Sequence, residues 1–123
     1  MEINKITERI LACAIRVHKE LGPGLLESAY EECLFFEMIN SGLKAEKQKP
    51  LPLVYRDVKL EIGYRVDILV EGQVVVEVKA VESFTDVHVA QVITYLKLSG
   101  CKIGLLLNFN VVLFKNGIKR LAN

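Results

Sequence analysis

The first third of the chain carries the hydrophobic spacing of two helices. Apolar residues recur at three- and four-residue steps, which predicts an amphipathic helix with one face on a core; they are Ile6, Ile10, Cys13, Ala14, Val17 and Leu21. Gly22-Pro23-Gly24 ends this helix. A second helix is predicted from about Leu26 to Ile39, with its end near Ser41-Gly42.

The middle of the chain changes to patterns typical of strands. The runs Leu51 to Tyr55 and Leu60 to Val70 predict two strands joined by a turn at Arg56-Asp57. Val74 to Ala80 is rich in β-branched valine and follows the turn signal Glu71-Gly72-Gln73, so it predicts a central strand.

A third helix and two strands are predicted for the rest. Helical spacing runs from Asp86 to Ser99, and Gly100 supplies the stop. Two closing strands are predicted, at Ile103 to Asn108 and at Val111 to Lys115, and the first of them should be buried on both faces. The predicted order is ααβββαββ, a mixed α/β fold with helices packed on one sheet, as a single domain over residues 1–123.

Composition supports a stable core and limits the possible partners. The 123 residues are 51% hydrophobic, enough for one domain without disulfides or structural metal. The 16 basic and 15 acidic residues nearly cancel, so any contact with nucleic acid must come from a local patch. The segment Met1 to Arg9 mixes charges and lacks the apolar stretch of a signal peptide or membrane span, which predicts a cytoplasmic protein without membrane contact.

The three cysteines are odd in number and widely spaced among apolar neighbours. Cys13, Cys33 and Cys101 are therefore predicted to be reduced core thiols, and no zinc site is proposed.

Charged residues collect on one side of two predicted strands. Because side chains alternate along a strand, Arg65 and Asp67 share a face, and Glu77 and Lys79 share another. A hairpin loop with an odd number of residues around Gly72 would place all of them on the same face of the sheet, whereas an even loop would separate them. We predict the odd loop.

This arrangement predicts a metal-dependent phosphodiesterase site. Asp67 and Glu77 could bind Mg²⁺ or Mn²⁺ through oxygen, and Lys79 could orient a water or offset developing negative charge. Glu and Lys two apart also occur on solvated strand faces as a loose ion pair. The apolar strand around them favours a site, because it is a costly place for two charges without a ligand.

The chain resembles the PD-(D/E)XK nuclease superfamily, in which Asp lies on the second strand and Glu-x-Lys on the third, as Asp67, Glu77 and Lys79 do here. Within it the chain is similar to the GxxExxY proteins, whose motif is matched by residues 24–30, Gly-Leu-Leu-Glu-Ser-Ala-Tyr. The resemblance implies a restriction-endonuclease-like core and a nuclease activity. Val66 replaces the proline of the superfamily name, as in many members.

The resemblance also implies a helical contribution from Glu27 as a third metal ligand. Tyr30 lies one turn further, so both side chains could face the strand pair. The alternative is that Glu27 is an N-terminal helix carboxylate favoured by the helix dipole and that Tyr30 is a packing residue.

Auxiliary roles are expected on the third helix and on the second strand. Gln91 and Tyr95 lie four apart and resemble a pair that supports the site in RecB-like members. His88 is more typical of a surface residue. Arg65 could bind the scissile phosphate, or it could neutralise Glu27 or Glu77 in a structural pair.

The leading hypothesis is a Mg²⁺- or Mn²⁺-dependent nuclease that acts on DNA in preference to RNA. The alternative is a catalytically inactive module of the same fold that binds nucleic acid or a protein partner, which the near-neutral charge favours. Two basic clusters could contact a phosphate backbone or be solvated strand ends; they are Lys44, Lys47 and Lys49, and Lys115, Lys119 and Arg120.

A homodimer is a further expectation. The pair Ile103 to Asn108 and Val111 to Phe114 is apolar enough to leave a sheet edge that a second copy could cover.

Overall fold

Three helices and one five-stranded sheet make up the protein. The computed structural model describes all residues, 1–123. In chain order the elements are α1 (Ile3–Leu21), α2 (Glu27–Asn40), β1 (Ala45–Tyr55), β2 (Val58–Val70), β3 (Val74–Lys79), α3 (Asp86–Ser99), β4 (Ile103–Asn108), a 3₁₀ turn (Phe114–Gly117) and β5 (Ile118–Ala122). The predicted order ααβββαββ and the mixed α/β class are confirmed.

The sheet is mixed, with strand order β1-β2-β3-β4-β5. β3 and β4 pair in parallel, and every other neighbouring pair is antiparallel. The predicted central position of β3 is confirmed, and five of its six residues are buried. α3 connects β3 to β4, as a parallel pair requires.

Helices cover both faces of the sheet. α1 and α2 pack on one face around a large core that includes Ile10, Tyr30 and Leu34. α3 packs on the other face around a smaller core that includes Val92 and Leu96. None of the three helices combines the length and apolar composition needed to cross a membrane.

The β2–β3 hairpin has the odd loop predicted for it. Val70 pairs with Val74, which leaves a loop of three residues, Glu71, Gly72 and Gln73. Glu71 and Gly72 have φ of 54° and 64°, the left-handed conformation of tight hairpin turns. Leu69 opposite Val75 therefore shares its face, and the same alternation carries on to the charged residues of both strands.

The first strand starts earlier than predicted, at Ala45 rather than Leu51. In the sequence, Lys47 and Lys49 take positions at which an alternating strand would show apolar residues. Lys47 pairs with Glu32 at 2.8 Å and its ammonium lies 4.8 Å from the Phe35 ring centroid, so a charged residue takes an inward-facing position on this edge strand.

The predicted last strand, Val111 to Lys115, is wrong. Phe114 is buried in the large core beside Phe109, with ring centroids 4.9 Å apart, and the His18 Nε2 atom lies 2.6 Å from the Val111 carbonyl oxygen. The apolar run is a loop held at Val111 and Phe114, with Val112 and Leu113 exposed between them, and the strand follows it at Ile118–Ala122.

The apolar sheet edge expected for a homodimer is also wrong. β4 lies between β3 and β5 and is hydrogen-bonded on both sides. The edges are β1 and β5, and β5 carries Lys119 and Arg120. Arg120 donates to Asn4 Oδ1 at 2.9 Å, so this basic residue ties β5 to α1.

Candidate active site

The two strand carboxylates meet where β2 and β3 diverge. Backbone pairing between these strands ends at Ile68 opposite Val76. Beyond this point the Asp67 backbone N–H donates to Glu77 Oε2 at 2.7 Å, and the Val78 N–H donates to Asp67 Oδ2 at 2.8 Å. Side-chain oxygens thus satisfy the backbone donors that the ladder leaves unpaired. The predicted juxtaposition of Asp67 and Glu77 is present in the fold.

Burial raises the pKa of both carboxyl groups. Glu77 is 3% exposed. Loss of solvation, and then the nearby charge of Asp67, raise the pKa of Glu77 to about 8 against the opposing effects of the Asp67 amide and Lys79. Burial also raises the pKa of Asp67, although the Val78 amide and Lys79 act in the other direction. A cation at this position would relieve the mutual repulsion of the two charges.

Lys79 lies on the same face of β3 as Glu77, at the last residue of the strand. Its ammonium acts on the pKa of both Asp67 and Glu77, in the lowering direction. It makes no ion pair within 4.0 Å, so it is a nearby positive charge rather than a fixed salt-bridge partner.

Asn108 fixes the chain just beyond Lys79, a role that sequence reasoning missed. Asn108 is opposite Lys79 in the β3–β4 pair and is buried. Its side chain accepts from the Val81 N–H at 3.1 Å and donates to the Val81 carbonyl at 2.8 Å, while the Phe109 N–H donates to the Lys79 carbonyl at 2.9 Å. A single amide at the end of the otherwise apolar β4 is the sequence signal.

Glu27, the first residue of α2, reaches the end of β3. Its Oε2 accepts from the Ala80 N–H at 3.2 Å, and its charge contributes to the raised pKa of Asp67. However, no three His, Cys, Asp or Glu side chains converge as a ready-made metal-binding group. The structure brings Glu27 beside Asp67 and Glu77 without joining the three into one coordination set.

A second carboxylate of α2, Glu31, belongs to the same cluster. The Gln48 amide on β1 donates to both Glu31 oxygens, at 3.1 and 2.9 Å, and lies 3.4 Å from Asp67 Oδ1. Burial and the charge of Asp67 are among the causes that raise the pKa of Glu31. The four-residue spacing of Glu27 and Glu31 on one helix could have predicted that both face the site. Gln48 could not be predicted in this way, because it lies in the part of β1 that the sequence pattern did not identify as a strand.

Gln48 has an unusual backbone. The pairs Lys47 with Ile68 and Lys49 with Val66 place Gln48 opposite Asp67. Its φ is 51°, in the left-handed region that non-glycine residues rarely adopt. This conformation accompanies the turn of the amide toward the two carboxylates.

The predicted pair on α3 also reaches the site. The Gln91 amide donates to the Tyr95 hydroxyl at 3.2 Å. Tyr95 is buried, and burial together with the charges of Glu77 and Asp67 raises the pKa of its hydroxyl. The pair therefore borders the carboxylates from the side of the sheet opposite α2.

Tyr30 is not brought to the strand pair. It is fully buried, its ring stacks on Phe109 with centroids 4.8 Å apart, and its hydroxyl donates to the Gly22 carbonyl at 2.5 Å and accepts from the Leu25 N–H at 3.1 Å. These contacts fix the glycine-rich corner that leads to Glu27.

Arg65 and His88 lie outside the cluster of carboxylates. Arg65 is exposed and makes no ion pair, so the expected pairing with Glu27 or Glu77 is not formed. His88 caps α3: its N–H donates to Thr85 Oγ1 at 3.2 Å, and the Thr85 N–H donates to its Nδ1 at 3.1 Å.

The carboxylate oxygens of Asp67 and Glu77 are of the type that binds a hard divalent cation. Asp67 and Glu77 each have one oxygen held by a backbone N–H, and the second oxygen of each is free of backbone donors. Mg²⁺ keeps several waters and is commonly bound by one or two carboxylates, so this pair suffices without a third converged ligand.

Comparison with known proteins identifies the family of the chain. The family model of the PD-(D/E)XK nuclease superfamily matches residues 4–121, a range that includes Glu27, Asp67, Glu77 and Lys79. No curated protein and no solved structure matches the chain.

Proposed function

The chain belongs to the PD-(D/E)XK nuclease superfamily, and from this premise we propose that it hydrolyses phosphodiester bonds with Mg²⁺ or Mn²⁺, in DNA in preference to RNA. The observation that carries the proposal is the reciprocal contact of Asp67 and Glu77 at the strand divergence, with Lys79 two residues beyond Glu77.

Asp67 and Glu77 would hold the cation, because their free oxygens are of the hard type that Mg²⁺ and Mn²⁺ prefer. When bound, the cation would neutralise charge on a phosphoryl oxygen and lower the pKa of the attacking water. Glu27 lies next to this pair, where it adds negative charge and holds the Ala80 amide at the end of β3.

Lys79 supplies the positive charge for the reaction. Its ammonium can donate to the attacking water or to the phosphoryl oxygen on which negative charge builds up. Phe109 and Asn108 hold the backbone from the Lys79 carbonyl to Val81, so the Lys79 side chain starts from a fixed position.

The neighbouring polar residues position or bind the substrate. Gln91 and Tyr95 present a hydroxyl beside the carboxylates, and exposed Arg65 can bind a phosphate. Tyr30 acts through the corner that it braces, rather than by contact with substrate.

A second candidate is a non-catalytic module that binds nucleic acid or a protein. The net charge is +1, and two lysines of the β1 cluster already pair within the chain, Lys47 with Glu32 and Lys49 with Glu46. Little free positive charge is left on this strand for a channel that grips the backbone of a cleaved nucleic acid, and this is the observation that favours a non-catalytic role.

Cleavage assays with variants test the proposal. Purified protein with Mn²⁺ should cut one or more of single-stranded, duplex and branched DNA, with RNA as the comparison. Asp67→Asn and Lys79→Ala should abolish cutting without unfolding the protein, whereas Lys97→Ala, at an exposed lysine of α3, should leave it intact.

Two outcomes would reject the assignment. Undiminished cutting by both site variants would indicate a contaminating nuclease. Salt-sensitive binding without cutting would support the second candidate. Anomalous density at Asp67 and Glu77 in Mn²⁺-soaked crystals would locate the cation independently of activity.

A further inference from the structure

The β1–β2 hairpin extends beyond both cores as an arm comprising residues 53–62. Leu53 pairs with Leu60, and Tyr55 pairs with Val58, next to the turn at the tip. None of the apolar side chains of the arm belongs to, or packs against, either core cluster. The arm is a two-stranded ribbon whose apolar residues have no partner in either core, although the Arg56 guanidinium lies over the Tyr55 ring, 5.7 Å from its centroid.

One face of the arm is entirely apolar. Side chains alternate between the two faces of a strand, and this alternation puts five apolar side chains on one face of the arm; they are Leu53, Tyr55, Val58, Leu60 and Ile62. Tyr55, Val58 and Ile62 are each more than half exposed. The opposite face carries Lys59 and Glu61 together with the exposed Val54, which pairs with Lys59.

This face leads to the candidate active site across a shift of register between Leu51 and Leu53. On the inner side of that shift Leu51 pairs with Tyr64, and Leu51 lies in the core beneath α3. The Tyr64 ring meets the Tyr95 ring edge to face, with centroids 6.3 Å apart, and Tyr95 borders Asp67 and Glu77. Tyr64 is 36% exposed and stands between the carboxylates and the open end of the arm.

We propose that this face, from Tyr64 outward, binds the unpaired bases of the strand being cut, so that the substrate is single-stranded nucleic acid. The inference rests on the proposed function, because it takes nucleic acid to be the ligand of the adjoining site. An apolar face with two exposed tyrosines fits base rings, which stack on aromatic side chains regardless of sequence. A duplex presents phosphates instead, and the cation that borders this face is Arg56 at the tip, whose guanidinium lies 5.7 Å from the Tyr55 ring centroid.

A second copy of the chain is a poorer occupant. Stable protein interfaces use about 20–30 residues a side, whereas the free part of the face consists of five side chains and Tyr64. Its continuity with the candidate site, rather than with another apolar surface, points to the substrate.

Measuring the binding of nucleic acid in the absence of metal tests this inference independently of cleavage. We would measure the fluorescence anisotropy of a labelled oligonucleotide, and of the duplex made from it, with full-length protein in EDTA. The single strand should bind at least about tenfold more tightly, and Tyr64→Leu, which keeps an apolar contact with Tyr95, should weaken its binding about tenfold. Phe36→Leu, at an exposed aromatic residue on α2, is the matched control and should bind as the parent protein does.

Equal or tighter binding of the duplex, an unaffected Tyr64→Leu variant, or no binding of either oligonucleotide would overturn the inference. A dimer in light scattering that Val58→Lys dissociates would assign the face to a second copy and overturn it too. Single-strand binding that is sensitive to Tyr64→Leu, without cutting in Mn²⁺, would support the inference while rejecting the proposed nuclease activity. Cutting with a preference for duplex would do the reverse.

Discussion

The side chains of Asp67 and Glu77 continue the β2–β3 pairing beyond its last backbone pair, since the Asp67 backbone N–H donates to Glu77 Oε2 at 2.7 Å. The Val78 N–H completes the exchange by donating to Asp67 Oδ2. The backbone itself therefore orients both carboxylates, which is the preorganisation that a metal-dependent site needs.

The first prediction concerns stability against pH without divalent cations. The pKa of Glu77 is about 8 in the folded protein, against an ordinary value of 4.5. Between these values the folded state holds a proton that the unfolded state has lost, so stability falls as pH rises toward and through 8. The raised pKa of Asp67 acts in the same direction.

Thermal unfolding followed by circular dichroism in EDTA should therefore give a Tm several degrees lower at pH 9 than at pH 6. Glu77→Gln keeps an oxygen for the Asp67 N–H and should remove most of this fall. The same fall in the variant would show that other groups cause it.

The second prediction concerns divalent cations. Mn²⁺ binds the deprotonated carboxylates, so it should raise the Tm more at pH 8.5 than at pH 6, and by the equivalent of about 2.7 kcal/mol at a hundredfold excess over its Kd. Asp67→Asn should lose the effect. Glu61→Gln, at an exposed carboxylate of the arm, is the control that should retain it, and equal stabilisation of both variants would argue for non-specific binding.

The third prediction separates Lys79 from metal binding. Lys79→Met should slow cleavage by about 100- to 1,000-fold, because it removes charge stabilisation in the transition state. Mn²⁺ affinity measured by calorimetry should be unchanged or tighter, since a neighbouring positive charge is gone. Lys97→Met serves as the control. Weakened Mn²⁺ binding would instead mean that Lys79 maintains the geometry of the carboxylates.

The fourth prediction concerns Gln48. Gln48→Gly suits the φ of 51° and removes the amide shared by Glu31 and Asp67. Unfolding free energy should change by less than about 1 kcal/mol, whereas cleavage should fall about tenfold because Asp67 is less well positioned. Glu71→Gly, at another left-handed non-glycine residue, should not affect cleavage. Full activity of the Gln48 variant would limit the amide to a surface role.

The fifth prediction assigns Tyr30 to structure. Tyr30→Phe removes the hydrogen bonds to Gly22 and Leu25 and should lower the unfolding free energy by about 1–3 kcal/mol in urea titration. Mn²⁺ affinity should not change. A variant of normal stability with reduced cleavage would place Tyr30 in the catalytic machinery after all.

Local patterns were sufficient to predict the order of the elements and the face shared by Asp67, Glu77 and Lys79. Strand alternation has a period of two, so the three-residue loop around Gly72 is enough to relate the faces of two neighbouring strands. The end of α3 at Gly100 and its Gln91–Tyr95 pair follow similarly from local signals within one helix.

Only the tertiary structure added Gln48 and Glu31 to the residues around the carboxylates and removed Tyr30 from them. Gln48 comes from a strand whose start the sequence hid, and Tyr30 turns into the core because Phe109, far along the chain, stacks on it. In the apolar run at Val111, Phe114 is buried beside His18 of α1 whereas Val112 and Leu113 are exposed, and hydrophobicity alone does not tell such a loop from a strand. Sequence periodicity sets the direction of a side chain from its own strand or helix, but its neighbours depend on contacts between distant segments, which no local pattern records.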